Sequence, residues 1–309
     1  MRLITSIFFC VLNISIGLNL KAQGCSDAGF CTAGSMRSGD KTNPEYKNDL
    51  RLGFGFGIGE QGVKIGQILT EYNRKVFKNG LFQVKFPFTF TSGALGSANG
   101  IGDPSLVYTH SLNTKKAAPL NLSAGFKFPL GKTNTAYTGS LSLPMPYQTG
   151  LGTLDFIAGL RSSIKKFSFS AAAQVVLIQG NKNNFLPELD SINAGLYFPS
   201  NMLQRGNDLL LRVDRKFEFQ KFSIEPGILA IYRILGDKLT NQLGENKIYP
   251  GSEGLTLNIT INTVFKLSEQ SNLLFSVGAP VIVRVSRADG LTRALALSVN
   301  YLYTFGKVK

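Results

Sequence analysis

The sequence has no tryptophan, one histidine and three cysteines in 309 residues, and only 19 acidic side chains against 33 basic ones. Each shortage excludes something. With His110 as the sole histidine there is no clustered metal-ligand set, and a nucleophile has little choice of base. Ser111 follows His110, and neighbours on a strand point to opposite faces, so the two cannot pair. No Walker-type phosphate loop occurs, and Gly53, Gly55, Gly57 and Gly59 alternate along one strand face without opening a helix. The expectation is a chain that is not an enzyme and carries no metal or cofactor. After residue 23 the sequence also lacks any run of the ~18 apolar residues that a spanning helix needs. The net charge of +14 would suit nucleic acid, but that partner demands a basic face with stacking aromatics. No such grouping is present, and no nucleic-acid partner is expected.

What is present begins with an export signal. Met1-Arg2 carries positive charge, residues 3–20 are mostly apolar, and Lys21-Ala22-Gln23 offers a small residue for cleavage, the layout of a secretory signal peptide over residues 1–22. Residues 23–48 then read as an N-terminal periplasmic segment or a plug for a lumen, and residues 49–309 as a barrel. Cys10 falls in the signal. Cys25 and Cys31 lie in an exported, oxidising setting that favours a small disulfide loop; lipid attachment at Cys25 is the alternative.

From Leu50 onward, segments of about ten residues alternate apolar with small or polar residues, the period of a strand with two different faces. Phe82, Val84, Phe86, Phe88 and Phe90 alternate with Gln83, Lys85, Pro87 and Thr89; Leu295, Leu297, Val299, Tyr301, Tyr303 and Phe305 alternate with Ala296, Ser298, Asn300, Leu302 and Thr304. Such segments are predicted at 50–59, 62–74, 79–91, 104–112, 119–130, 151–164, 167–179, 207–216, 221–235, 254–266, 272–286 and 292–305. They exceed the ~5–6 residues usual in soluble sheets, and their polar face, rich in Gly, Ser, Asn and Thr, suits a wet lumen. The connections alternate short and long, with 91–103, 131–150, 179–207 and 236–253 as the long ones. Outer-membrane barrels have that asymmetry and an even strand count. The predicted fold is all-β: a transmembrane antiparallel up-and-down barrel of about 12 strands, with 10 or 14 as alternatives, in the outer membrane of a Gram-negative cell. Pro87, Pro226 and Pro280 lie inside predicted strands and mark bulges or a wall opening, because proline cannot complete a ladder.

The side chains then sort by place. Tyr108, Tyr232, Tyr301, Tyr303 and Phe305 are expected to form aromatic belts at the lipid interfaces. Basic residues gather in the short turns. A second basic set, Lys64, Lys85, Lys127, Arg161, Arg212, Arg233 and Arg284, has lumen parity, with Asp155, Asp214 and Glu225 at comparable positions. Two readings stand for it: an internal ion-pair network that stiffens the barrel, or a lumen that favours anions. The expected partners are outer-membrane lipid, a small-molecule solute, and the barrel-assembly machinery through the C-terminal strand.

Three glycine-rich segments add a resemblance. Gly100-Ile101-Gly102-Asp103 precedes a strand, Lys127-Phe128-Pro129-Leu130-Gly131 ends one, and Gly150-Leu151-Gly152-Thr153-Leu154-Asp155 opens the next. Together they resemble the outer-membrane barrels of the phenol-degradation meta-pathway type, a group akin to fatty-acid and aromatic-hydrocarbon channels. The resemblance spans roughly residues 50–305 and implies a transporter of small, hydrophobic compounds; taken with the basic lumen set, the expected function is passive or facilitated passage of small molecules, hydrophobic or anionic. The alternative is a non-transporting barrel that presents surface loops or binds a partner, which a lumen packed shut would favour.

Overall fold

A computed structural model describes residues 45–77, 79–112, 118–136, 141–187, 194–291 and 294–307. The expected signal peptide, residues 23–44, and Cys25 and Cys31 lie outside these. The alternation seen in the sequence becomes a single sheet whose strands each carry one face to the inside and one to the outside. They are β1 (Tyr46–Ile58), β2 (Lys64–Val76), β3 (Gly80–Gly93), β4 (Gly96–Ile101), β5 (Ser105–Leu112), β6 (Leu120–Lys127), β7 (Thr153–Ile164), β8 (Phe167–Gln179), β9 (Asp208–Arg215), β10 (Phe217–Glu218), β11 (Phe222–Arg233), β14 (Gly254–Lys266), β15 (Ser271–Ile282) and β16 (Leu295–Lys307). A small hairpin, β12 (Lys238–Thr240) with β13 (Asn246–Ile248), stands apart from the sheet. All pairings are antiparallel, and β16 returns to β1 with Tyr301 opposite Leu52 and Phe305 opposite Asn48. The result is a closed 12-strand barrel, in which β4 with β5, and β9 with β10, each make one interrupted strand. Closure leaves no edge, so every spanning N–H and C=O has a neighbour and lipid is asked for none.

β9 shows the sorting rule in its simplest form. Asp208, Leu210, Arg212 and Asp214 are buried inside while Leu209, Leu211 and Val213 are exposed outside. Around the barrel the exposed side chains are greasy: Leu52, Phe54, Phe86, Ile228, Ile259, Ile261 and Val299. An apolar belt on a closed sheet, around a charged interior, is a transmembrane barrel of the outer-membrane type. No helix among the described residues is long and apolar enough to cross a membrane. The start of β1 at Tyr46 and the end of β16 at Lys307 sit with the tight turns after β2, β7 and β14, the periplasmic side; the long connections share the opposite, outer side.

Three expectations change in detail. The strand expected from 50 begins at Tyr46, so residues 46–48 belong to the wall. The stretch 91–103 is not an open loop: β3 runs to Gly93, turns at once, and β4 zips back along it from Gly96 to Ile101. The alternating Thr, Ser, Ala and Asn there lack bulk, and the sequence pattern hid a ladder that backbone pairing alone sustains. Lys64, expected in the lumen, is exposed and shares a register row with outward-facing Ile58. An irregular connection precedes β2, and it shifts the parity of that strand by one residue.

The three prolines sit where the wall is irregular. Residues 102–104 stand opposite only Phe86 and Pro87, between the pairs Lys85–Ser105 and Phe88–Ile101. Pro226 faces the gap between β9 and β10. Pro280 lies at the register shift of β14 against β15. Each lacks an N–H: the neighbouring strand bulges opposite Pro87 and breaks opposite Pro226, and at Pro280 the proline's own strand bulges at Val281.

Candidate functional site

The site lies inside the outer half of the barrel, where wall residues meet connections that turn inward. Leu143, Met145, Tyr147 and Leu151 come from the β6–β7 connection, Phe185, Tyr197 and Leu203 from β8–β9, and Ala288 and Leu291 from β15–β16; all are buried. They pack against inward wall residues, among them Val107, Ile157, Leu210 and Leu229, in one apolar cluster, while Tyr147, Phe185 and Tyr197 join Val63, Ile65 and Leu95 in a second. Burying apolar area is worth roughly 25 cal/mol per Å², a sufficient reason for these loops to fold in. Polar contacts fix their order. Asn183 donates to the carbonyls of Thr133 (2.7 Å) and Leu143 (2.9 Å), and the Tyr147 and Tyr197 hydroxyls are 3.0 Å apart. Burial, then the bond to Tyr147, pushes the Tyr197 phenol up.

The three glycine-rich segments converge at the break in the wall. The Asp103 carboxylate accepts from the backbone N–H of Gly131 (3.0 Å) and of Leu151 (2.8 Å). Lys127 is 2.8 Å from Asp155 and 3.7 Å from Asp103. Gly131 and Gly150 touch backbone to backbone; a Cβ on Gly131 would stand 2.5 Å from the Gly150 Cα. Asp103 thus staples both ends of the β6–β7 connection to the interrupted strand, and the bulge opposite Pro87 is what turns its carboxylate toward them.

Beside this staple, guanidinium groups and carboxylates interleave. Arg233 on β11 meets Asp208 (2.8 Å), Asp237 (2.6 Å) and Asp289 (3.0 Å). Arg284 reaches Asp289 at 3.1 Å, and Arg205 binds Asp208 at 2.9 Å while lying 3.8 Å from both Asp155 and Asp289. Burial alone would raise the Asp289 carboxyl, but the guanidinium groups of Arg284, Arg233 and Arg205 hold it well below the usual carboxylate range. On the outer side Arg287 pairs with Glu60 at 2.9 Å. There burial wins: it pushes the Glu60 carboxyl up to about 7, with Arg287 pulling the other way.

Among the residues expected to line the lumen, Lys85, Lys127, Arg161, Arg212 and Arg233 face inward from their strands, and Arg284 turns inward from the loop after β15. The structure gathers Lys127, Arg233 and Arg284 into the network. Arg212 stands apart, bound at 2.9 Å to Asp214, and Lys64 is outside. Tyr301, Tyr303 and Phe305 are exposed on the outer face near the periplasmic rim, Tyr108 packs on Phe82 near the same rim with ring centroids 5.1 Å apart, and Tyr232 is exposed toward the other rim. No sequence pattern marks Arg205, which sits in a connection without periodicity; the Asp289-Gly290 pair, a turn signature, is the one local hint of an inward tip.

Beneath the infolded loops is a cavity of about 90 Å³. Lys85, Gln67, Thr89 and Lys127 line it from the wall, Met145, Gln148 and Leu151 from one loop, and Asp289 and Leu291 from another. No cluster of His, Cys, Asp and Glu able to hold a metal occurs among the described residues.

No family model and no curated protein matches the chain. Solved structures do. An outer-membrane channel from Pseudomonas putida F1 is 13% identical with a TM-score of 0.58, covering 87% of this chain and 99% of that one. The NanC porin overlaps more loosely (6% identity, TM-score 0.48, covering 84% and 100%), as does the CymD monoaromatic hydrocarbon channel (10%, 0.43, 84% and 89%). At these identities the first likeness is one of fold.

Proposed function

We propose that this outer-membrane barrel is a channel that passes small solutes, in a state closed at its outer half. The observation that carries the reading is how the lumen is blocked. The obstruction consists of loop segments entering from the outer side and held by hydrogen bonds and ion pairs, while the wall behind them keeps a charged, polar inner face and a cavity. A barrel that served only as a scaffold has no need to keep Lys85, Lys127 and Arg161 on its inner face, where each charge carries a desolvation cost. The fold shared with a Pseudomonas putida F1 outer-membrane channel agrees with it. The glycine-rich segments add the finer reading of a barrel of the phenol-degradation meta-pathway type. The inward basic residues, Lys85, Lys127, Arg161, Arg212, Arg233 and Arg284, favour anions among the solutes, and the aromatic residues Tyr108, Tyr232, Tyr301, Tyr303 and Phe305 are assigned to the interface belts.

The density of that same packing favours a second reading, a non-transporting barrel that presents its outer loops. Planar-bilayer recording separates the two. The expected outcome is small, intermittent current steps whose frequency rises when Asp103→Ala releases the β6–β7 connection. Silence from both wild type and variant, each shown to be folded by its unheated gel mobility, would leave the scaffold reading standing.

A further inference from the structure

We propose that Arg205, Arg233 and Arg284 form a binding site for short-chain monocarboxylates, and that Asp289 fills this site in the closed state as a tethered stand-in for the ligand. The proposal deepens the channel reading, and its meaning for transport rests on that reading.

Asp289 reaches the cluster from the tip of a turn. Gly290 has φ +65°, and a Cβ there would collide with the backbone of Met145 and Pro146, so the turn is seated hard against the neighbouring loop. Its Oδ2 is 3.0 Å from Arg233, 3.1 Å from Arg284 and 3.8 Å from Arg205. The other carboxylates of the cluster have different attachments: Asp208 belongs to wall strand β9, and Asp237 accepts from the backbone of Gly206. Asp289 alone combines three guanidinium neighbours with a place on the cavity lining. One of the arginines also has donors to spare. Arg205 is buried, yet its Nε and one Nη have no hydrogen-bond partner, and a buried charged donor left so is costly. A carboxylate placed slightly deeper than that of Asp289 would satisfy them.

Charge sets the ligand class. Replacing Asp289 by another monoanion leaves the balance of the cluster unchanged. A dianion such as sulfate would add a negative charge beside Asp155, Asp208 and Asp237. The apolar side chains of Met145, Leu151 and Leu291 on the cavity lining suit a short alkyl tail. A tethered group acts at an effective concentration of roughly millimolar or more, so a free carboxylate should compete only in that range, as befits a solute that must leave again. Exchange would free the turn from the wall.

The test uses the full-length protein refolded in detergent, with butyrate as probe and butanol as its neutral counterpart. Calorimetry should show millimolar butyrate binding to wild type, binding at least about tenfold tighter to Asp289→Asn, and loss of the gain when Arg284→Ala is added. A second readout needs no variant. Butyrate, and not butanol, should raise trypsin cleavage of wild type after Arg287, with cleavage at exposed Lys247 in the outer hairpin unchanged. Equal binding by Asp289→Asn and wild type, equal binding of butanol, or cleavage after Arg287 that ignores butyrate overturns the proposal. Bilayer current recorded in parallel keeps the two ideas apart: the site stands without current if butyrate binding behaves as stated, and current without a butyrate effect keeps the channel and defeats the site.

Discussion

At the scale of single residues, Asp103 does more than its exposed-loop sequence context suggests. It accepts two backbone N–H groups and lies beside Lys127, with 7% of its side chain accessible. Truncation to Ala leaves two poorly hydrated donors without an acceptor, at ~1–3 kcal/mol each. Asp103→Ala is therefore expected to lower stability in urea titrations by about 2–4 kcal/mol, with Asp103→Asn losing less because an oxygen acceptor survives. A loss under about 0.5 kcal/mol would show that the staple is dispensable. The same position explains the neighbouring glycines: Gly131 and Gly150 approach too closely for a Cβ on either, so the staple and the close approach form one device.

At the scale of elements, each spanning strand has one face selected by hydrocarbon and one by the lumen. Ile261 on β14 points outward at 45% exposure, and its row runs through Pro226 and Val277 on the flanking strands. An arginine on the lipid face near the bilayer midplane costs about 2–4 kcal/mol. Ile261→Arg should reduce the fraction that folds into lipid vesicles, read as the band that migrates differently before and after heating. Unchanged folding would mean that this row does not meet lipid. The proline-marked irregularities belong to this scale too. A strand that cannot receive an N–H at Pro87 loses register with its neighbour, and the bulge at 102–104 brings Asp103 to the loop base.

At the scale of the whole molecule, the outer loops and the wall interlock through buried charge. The Glu60–Arg287 pair ties the β1–β2 connection to the β15–β16 connection. Because burial raises the Glu60 carboxyl from 4.5 to about 7, the folded state prefers it protonated. The sign follows from linkage: ionising Glu60 costs the folded state nothing below about 4.5, costs progressively more between there and 7, and costs most above 7. Thermal melts should show Glu60→Gln raising Tm at pH 8 and leaving it unchanged at pH 4.5. A variant less stable than wild type at pH 8 would mean that the ion pair outweighs burial.

The sequence by itself determined the alternation, and with it the fold class, a strand count near twelve and the inward parity of Lys85, Lys127, Arg161, Arg212 and Arg233, because a two-residue period is a local property that hydrocarbon on one side and a lumen on the other enforce residue by residue. It also located the three prolines at real irregularities. The parity of Lys64 was not legible, since a break before a strand resets its faces without altering composition. Nor was the inner plug: Leu143, Phe185 and Leu291 carry no period, and Arg205 and Asp289 are more than eighty residues apart along the chain. Only closure of the barrel brings those connections to a common mouth, where apolar burial and charge pairing across the lumen decide that they fold inward.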